Sequence, residues 1–119
     1  MPFFSIIRAN EQQGMPPEGL LKAMDVYVAK NLQEGTVLTT GGLAPSRAGV
    51  RLRIQDGRLQ VIDGPFAESK EVVGGYAVLA ATTREAAIRA TTEFMQLHLD
   101  HWPGWEGECE LRELAFLAP

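Results

Sequence analysis

The sequence predicts an α+β sandwich: an antiparallel sheet with two helices on one face. Three observations point there. The chain has 119 residues, the size of one domain. Apolar residues make up 45% and charged residues 22%, a balance that supports one core without disulfides. Segments with two-residue alternation are separated by two long segments whose apolar residues recur at helical spacing.

Residues 3–9, Phe-Phe-Ser-Ile-Ile-Arg-Ala, read as a short strand. Gly14-Met15-Pro16-Pro17 breaks the pattern. Pro17 and Glu18 suit the first turn of a helix over 17–34, with Leu20, Met24, Tyr27, Val28 and Leu32 on its apolar side and Gly35 as its stop. Residues 36–40 read as a strand that Gly41-Gly42 ends or bulges, followed by a loop to Gly49 containing Pro45 and Ser46. Val50, Leu52 and Ile54 then alternate with Arg51 and Arg53, Asp56-Gly57 signals a hairpin, and Leu59 and Val61 continue the apolar face. Gly64 to Val73 is expected to be irregular, and residues 76–81 a strand. Thr82-Thr83-Arg84-Glu85 has the form of a capping box, placing Thr82 at the start of a helix that buries Ala87, Ile88, Thr91, Phe94 and Met95. That helix should fade between Leu97 and Asp100, ahead of Pro103. Trp102 to Trp105 forms a turn, and the last strand runs roughly from Glu108 to Leu117.

Composition excludes several classes. No apolar run approaches the ~20 residues of a membrane helix. The first ten residues lack a basic segment followed by a long apolar one, so no secretory signal is read. A single cysteine, Cys109, leaves no internal disulfide and no multi-cysteine metal site, which fits a reducing, cytoplasmic setting. Eleven basic against fifteen acidic residues give a net charge of −4, a poor balance for nucleic acid. No nucleotide loop, haem motif or flavin motif is present, so no cofactor is expected. The sheet face opposite the helices needs a cover, and a homodimer is the expected one.

The most informative segment runs from Asp63 to Gly75: Asp-Gly-Pro-Phe-Ala-Glu-Ser-Lys-Glu-Val-Val-Gly-Gly. With Gly41-Gly42-Leu43, Pro45-Ser46, the GGYAVL strand and HWPGWEGECELREL, it resembles the DGPF-domain branch of the YCII-related family. The resemblance covers nearly the whole chain and implies a ferredoxin-like dimeric α/β barrel. Its relatives in the wider superfamily perform isomerisation, elimination or cofactor-free oxidation. Some members of the branch are associated with sigma-factor genes. Members of the wider family are thought to use a histidine–aspartate pair with an early histidine; here no histidine precedes His98.

Asp63 falls in phase with Leu59 and Val61, which predicts a carboxylate at a pocket rim, where desolvation favours general acid or base work. The alternative is an Asp-Gly turn whose side chain accepts backbone amides. Glu68 and Glu71 lie one helical turn apart and are read as an acid–base pair, as ligands for a divalent cation, or as a solvated loop neutralised by Lys70. Arg8 or Lys70 would hold a substrate anion. Gly64, Pro65 and Phe66 of the signature, together with Trp102, are candidate ligand contacts, although Trp102 and Trp105 equally form a packed corner. His98 and His101 complete no ligand spacing, and no metal is expected. Arg47, Arg51, Arg53 and Arg58 make a basic hairpin face that binds an acidic partner or simply guards a strand edge.

Two functions follow. The first is an acid–base enzyme for a small acidic or aromatic molecule, using Asp63, Glu68 and Arg8. The second is a non-catalytic module that binds a ligand or docks on a protein, in line with the absent early histidine. A cavity lined by Asp63 favours the first, and an exposed apolar patch favours the second.

Overall fold

The computed structural model describes residues 1–66 and 70–118. Its strands and helices follow in the order β1 (Phe3–Ala9), α1 (Glu18–Glu34), β2 (Val37–Gly42), β3 (Val50–Gln55), β4 (Arg58–Asp63), β5 (Val72–Leu79), α2 (Arg84–His101) and β6 (Gly107–Glu113). Single 3-10 turns at Glu11–Gln13 and Ser46–Ala48 sit in the first and third connections. Four strands form one sheet in the order β2-β5-β1-β6, every pair antiparallel. This is a ferredoxin-like α+β arrangement with a hairpin inserted between β2 and β5.

The sheet's two faces differ because side chains alternate along each strand. On the helix side, Phe3, Val37, Leu79 and Ala87 make the buried core, and Ala77, Ala81, Ala90 and Leu111 pack against it. Both helices lie there, and Tyr27 of α1 reaches α2 by donating its hydroxyl to the Ala90 carbonyl at 2.8 Å. Phe4, Ile6 and Arg8 of β1 point to the helix-free face, in register with Val78, Tyr76, Arg112, Glu110 and Glu108 of the neighbouring strands. The Phe4 and Tyr76 rings stack on that face at 6.1 Å. A Cβ on Gly41 would come within 2.9 Å of the Tyr76 ring, so the glycine makes room for it.

The helix ends follow local chemistry, with two corrections. Gly35 closes α1 in the left-handed conformation at φ 78°, as its position predicts. Thr83, not Thr82, caps α2: its side chain accepts from the Ala86 amide at 3.2 Å. The helix continues to His101, further than the expected fade, and the Trp102 amide bonds back to the His98 carbonyl at 2.9 Å. β5 starts at Val72, inside the stretch that the sequence marks as irregular. Val72 and Val73 pair with Ala9 and Arg8 across an irregularity beside Gly74, and this outweighs the breaker signal of the glycines. The last strand ends at Glu113, four residues before the expected Leu117, once its pairing with Phe3 is complete.

The larger correction concerns the hairpin. Asp56 and Gly57 turn with positive φ, 53° and 73°, as the dipeptide predicts. However, β3 and β4 form a sheet of their own and leave the body as an arm. Leu59 and Val61, expected on a core face, lie on an exposed one with Val50, Leu52 and Ile54. No helix of the described residues is long and apolar enough to cross a membrane.

Candidate functional site

The loop between β2 and the arm is built around Ser46, one of the few buried polar residues. Its turn is closed by the Ala48 amide on the Pro45 carbonyl at 3.0 Å and the Gly49 amide on the Ser46 carbonyl at 2.9 Å. Glu11, from the turn after β1, reaches across to it. The Ser46 amide donates to Glu11 Oε2 at 2.6 Å, and the Ser46 hydroxyl donates to Oε1. These bonds, the hydroxyl's above all, hold the Glu11 carboxyl below its ordinary 4.5, with Arg47 adding a smaller attraction.

The returning strand clasps the same loop. The Gly64 amide donates to the Gly49 carbonyl at 2.9 Å, and the Gly64-Pro65 peptide is cis. A Cβ at position 64 would collide with the Ser46 carbonyl, so close backbone approach requires glycine there. The Phe66 amide lies 3.4 Å from the Ser46 hydroxyl oxygen, within donating range. The Arg51 guanidinium sits 3.8 Å above the centre of the Phe66 ring, a cation–π contact. Of these groups Ser46, Gly49, Arg51 and Phe66 help to wall a cavity of about 390 Å³ at the root of the arm. Its apolar lining comes from Leu43, Pro45, Val50, Phe66, Val72 and Val73, and Ser46 and Arg51 supply polar edges.

The predicted residues separate in space. Gly64, Pro65 and Phe66 come together at this loop, and of the three Phe66 lines the cavity. Asp63 lies just before them, exposed, opposite Val50 on the apolar face of the arm and outside the cavity lining. Glu68 lies outside the described residues. Lys70 is exposed. Arg8 is on the helix-free sheet face, where its Nη1 meets Glu110 Oε1 at 2.6 Å, a partner the sequence does not reveal. Trp102 stacks on Trp105 at 5.9 Å and lines neither cavity described in this fold.

His98 is buried in the same aromatic row, 4.6 Å from the Trp105 ring and 5.2 Å from Phe94. Burial pushes its pKa below the ordinary 6.5, opposed by a contact between Nδ1 and the Phe94 carbonyl at 3.2 Å. Among the described residues no three His, Cys, Asp or Glu side chains gather as metal ligands. Sequence reasoning misses Glu11 and Ser46 as a pair. They are 35 residues apart, and nothing local marks Glu11 as a partner.

A second hollow, also about 390 Å³, lies on the helix side between α2 and the edge strand β6. Ile88, Met95, Leu99, Cys109 and Leu111 line it. The Cys109 sulfur is 3.0 Å from the Ser5 hydroxyl, and burial pushes the thiol's pKa up, which disfavours the reactive thiolate.

The profile of the YCII-related domain matches residues 1–94, from β1 into α2, and so includes every residue of the arm-root cavity. The chain belongs to the YCII-related domain family. An uncharacterized protein of Rhizobium meliloti (strain 1021) is 26% identical over 102 residues, covering 86% of this chain and 78% of the relative. In this YCII-related chain the Gly-Pro-Phe run does two local jobs. Gly64 closes the backbone onto Ser46, and Phe66 forms a wall of the cavity.

Proposed function

We propose that this YCII-related protein is a non-catalytic, homodimeric module that holds a small aromatic or acidic molecule in the arm-root cavity. The observation that carries this reading is Phe66, a residue of the most specific sequence segment, set against Arg51 in a mostly apolar hollow. An apolar pocket with few polar groups suits a ligand with a hydrophobic body and one polar end. A carboxylate would meet the Arg51 guanidinium, and an aromatic ring would lie against Phe66. The homodimer rests on the helix-free face, where Phe4, Ile6, Tyr76 and Val78 are only half-buried.

The reading is tested by thermal shift with benzoate, phenylacetate and small aliphatic carboxylates on the wild type, Phe66→Ala and Asp63→Asn. A ligand at a hundred times its Kd should raise Tm by roughly 10 °C. That shift should disappear in Phe66→Ala and persist in Asp63→Asn. No shift with any compound removes the ligand-binding reading.

Acid–base catalysis is the second reading, favoured by the Ser46 hydroxyl that Glu11 orients at the wall of the same cavity. A lowered Glu11 pKa makes this carboxylate a weak base but a firm acceptor. In an enzyme, Asp63, Glu68 or Glu11 would have to move the proton. A shift lost in Asp63→Asn and kept in Phe66→Ala would favour this reading.

A further inference from the structure

The loop after β2 walls one side of the arm-root cavity, and there it has spent its hydrogen-bond donors. The Leu43 amide donates to the Gly74 carbonyl at 2.9 Å, the Ala48 amide to Pro45 at 3.0 Å, and the Gly49 amide to Ser46 at 2.9 Å. Pro45 has no amide hydrogen. Both hydrogens of Ser46 go to one carboxylate: its amide to Glu11 Oε2 at 2.6 Å, and its hydroxyl to Oε1. A loop binds an anion when its amides are free to converge on the ligand. These amides are already committed.

What this wall offers instead is an acceptor. A serine oxygen carries two lone pairs beside its one hydrogen. The Phe66 amide lies within reach of one, at 3.4 Å. Among the described residues no other donor takes the second. The hydroxyl cannot turn to donate into the cavity without breaking a charge-assisted bond, because Glu11 is held as the carboxylate with its pKa below the ordinary 4.5. The same carboxylate repels a second anion placed beside Ser46.

We propose that Ser46, locked by Glu11, selects a ligand that carries a hydroxyl or amino hydrogen as well as its acidic group: a hydroxy- or amino-substituted aromatic acid. The inference rests on the ligand-binding reading and deepens it by naming the class of ligand. Such a molecule donates to Ser46 Oγ and keeps its carboxylate on the Arg51 side, away from Glu11. An unsubstituted ring or an ether leaves the serine lone pair without a partner. A site built around a hydrogen bond rejects the analogue that cannot make it.

The test is isothermal titration calorimetry of the full chain with benzoate, the isomeric hydroxybenzoates and their methyl ethers. Benzoate is smaller than the hydroxy acids and the ethers are larger, so size alone does not favour the hydroxy acids over both. At least one hydroxy acid should bind about tenfold tighter than both benzoate and its own methyl ether. That ratio should fall to near one in Ser46→Ala, which removes the acceptor. It should fall likewise in Glu11→Gln, whose amide can donate to the serine oxygen and free its hydroxyl hydrogen for the cavity. Circular dichroism verifies that the variants are folded, and should one fail, the other variant and the wild-type ratio decide. Equal binding of all three kinds of acid by the wild type overturns the inference and leaves the ligand-binding reading standing. A ratio that survives in either folded variant also overturns it, because the donor is then read by something other than a Glu11-locked serine. No binding of any of these acids overturns the ligand-binding reading and the inference together.

Discussion

At the scale of single residues, burial decides which groups keep their ordinary chemistry. His98 sits between Phe94 and Trp105 with its proton affinity lowered by desolvation. The sign of the consequence follows. With a native pKa below 6.5, the folded state binds fewer protons than the unfolded chain between the two values. The stability that the neutral ring contributes is complete above about 6.5 and is lost as the pH falls through the lowered native value. Urea titrations should therefore show a midpoint that declines from pH 7 to pH 5, and His98→Asn should flatten that decline. Glu11 acts in a separate, more acidic window below 4.5, because its carboxylate is the form that Ser46 holds. The phase of Asp63 with Leu59 and Val61 is visible in the sequence, but the face that it shares is open to solvent.

At the scale of elements, local signals were legible where a turn or cap obeys a local rule. Asp56-Gly57 marks the hairpin because both residues adopt positive φ, and Gly35 marks the end of α1 for the same reason. The two adjacent threonines before α2 show the limit of such rules. The Thr-x-x-Glu pattern points to Thr82, whereas the bond to Ala86 belongs to Thr83. Thr83→Ala should cost about 1 kcal/mol in chemical denaturation and Thr82→Ala far less. Equal losses would return the cap to Thr82. Pairing between distant strands carries no such mark. β5 begins at Val72 because β1 offers partners there, and the Ser46–Glu11 contact bridges two connections that share no local pattern. The alternation of β3 and β4 is the same whether a helix, a partner or water lies over it. The strands were therefore readable, and their departure from the main sheet was not.

At the scale of the whole molecule, the arm-root cavity sits where the projecting hairpin meets the body. Val50 and Arg51 belong to the arm, Val72 and Val73 to the main sheet, and all four line the same hollow. A bound molecule would act as a wedge in a hinge, setting the angle at which the lever leaves the frame. Under the proposed reading of a homodimer that holds a ligand, occupancy of this hollow and assembly would be linked, and linkage is reciprocal: whatever factor the ligand applied to the dimer constant, dimerisation would apply to the ligand. Sedimentation with and without saturating ligand, set beside ligand titrations of dilute and concentrated protein, should return one shared factor. Unequal factors would uncouple the hinge from the hand that it moves.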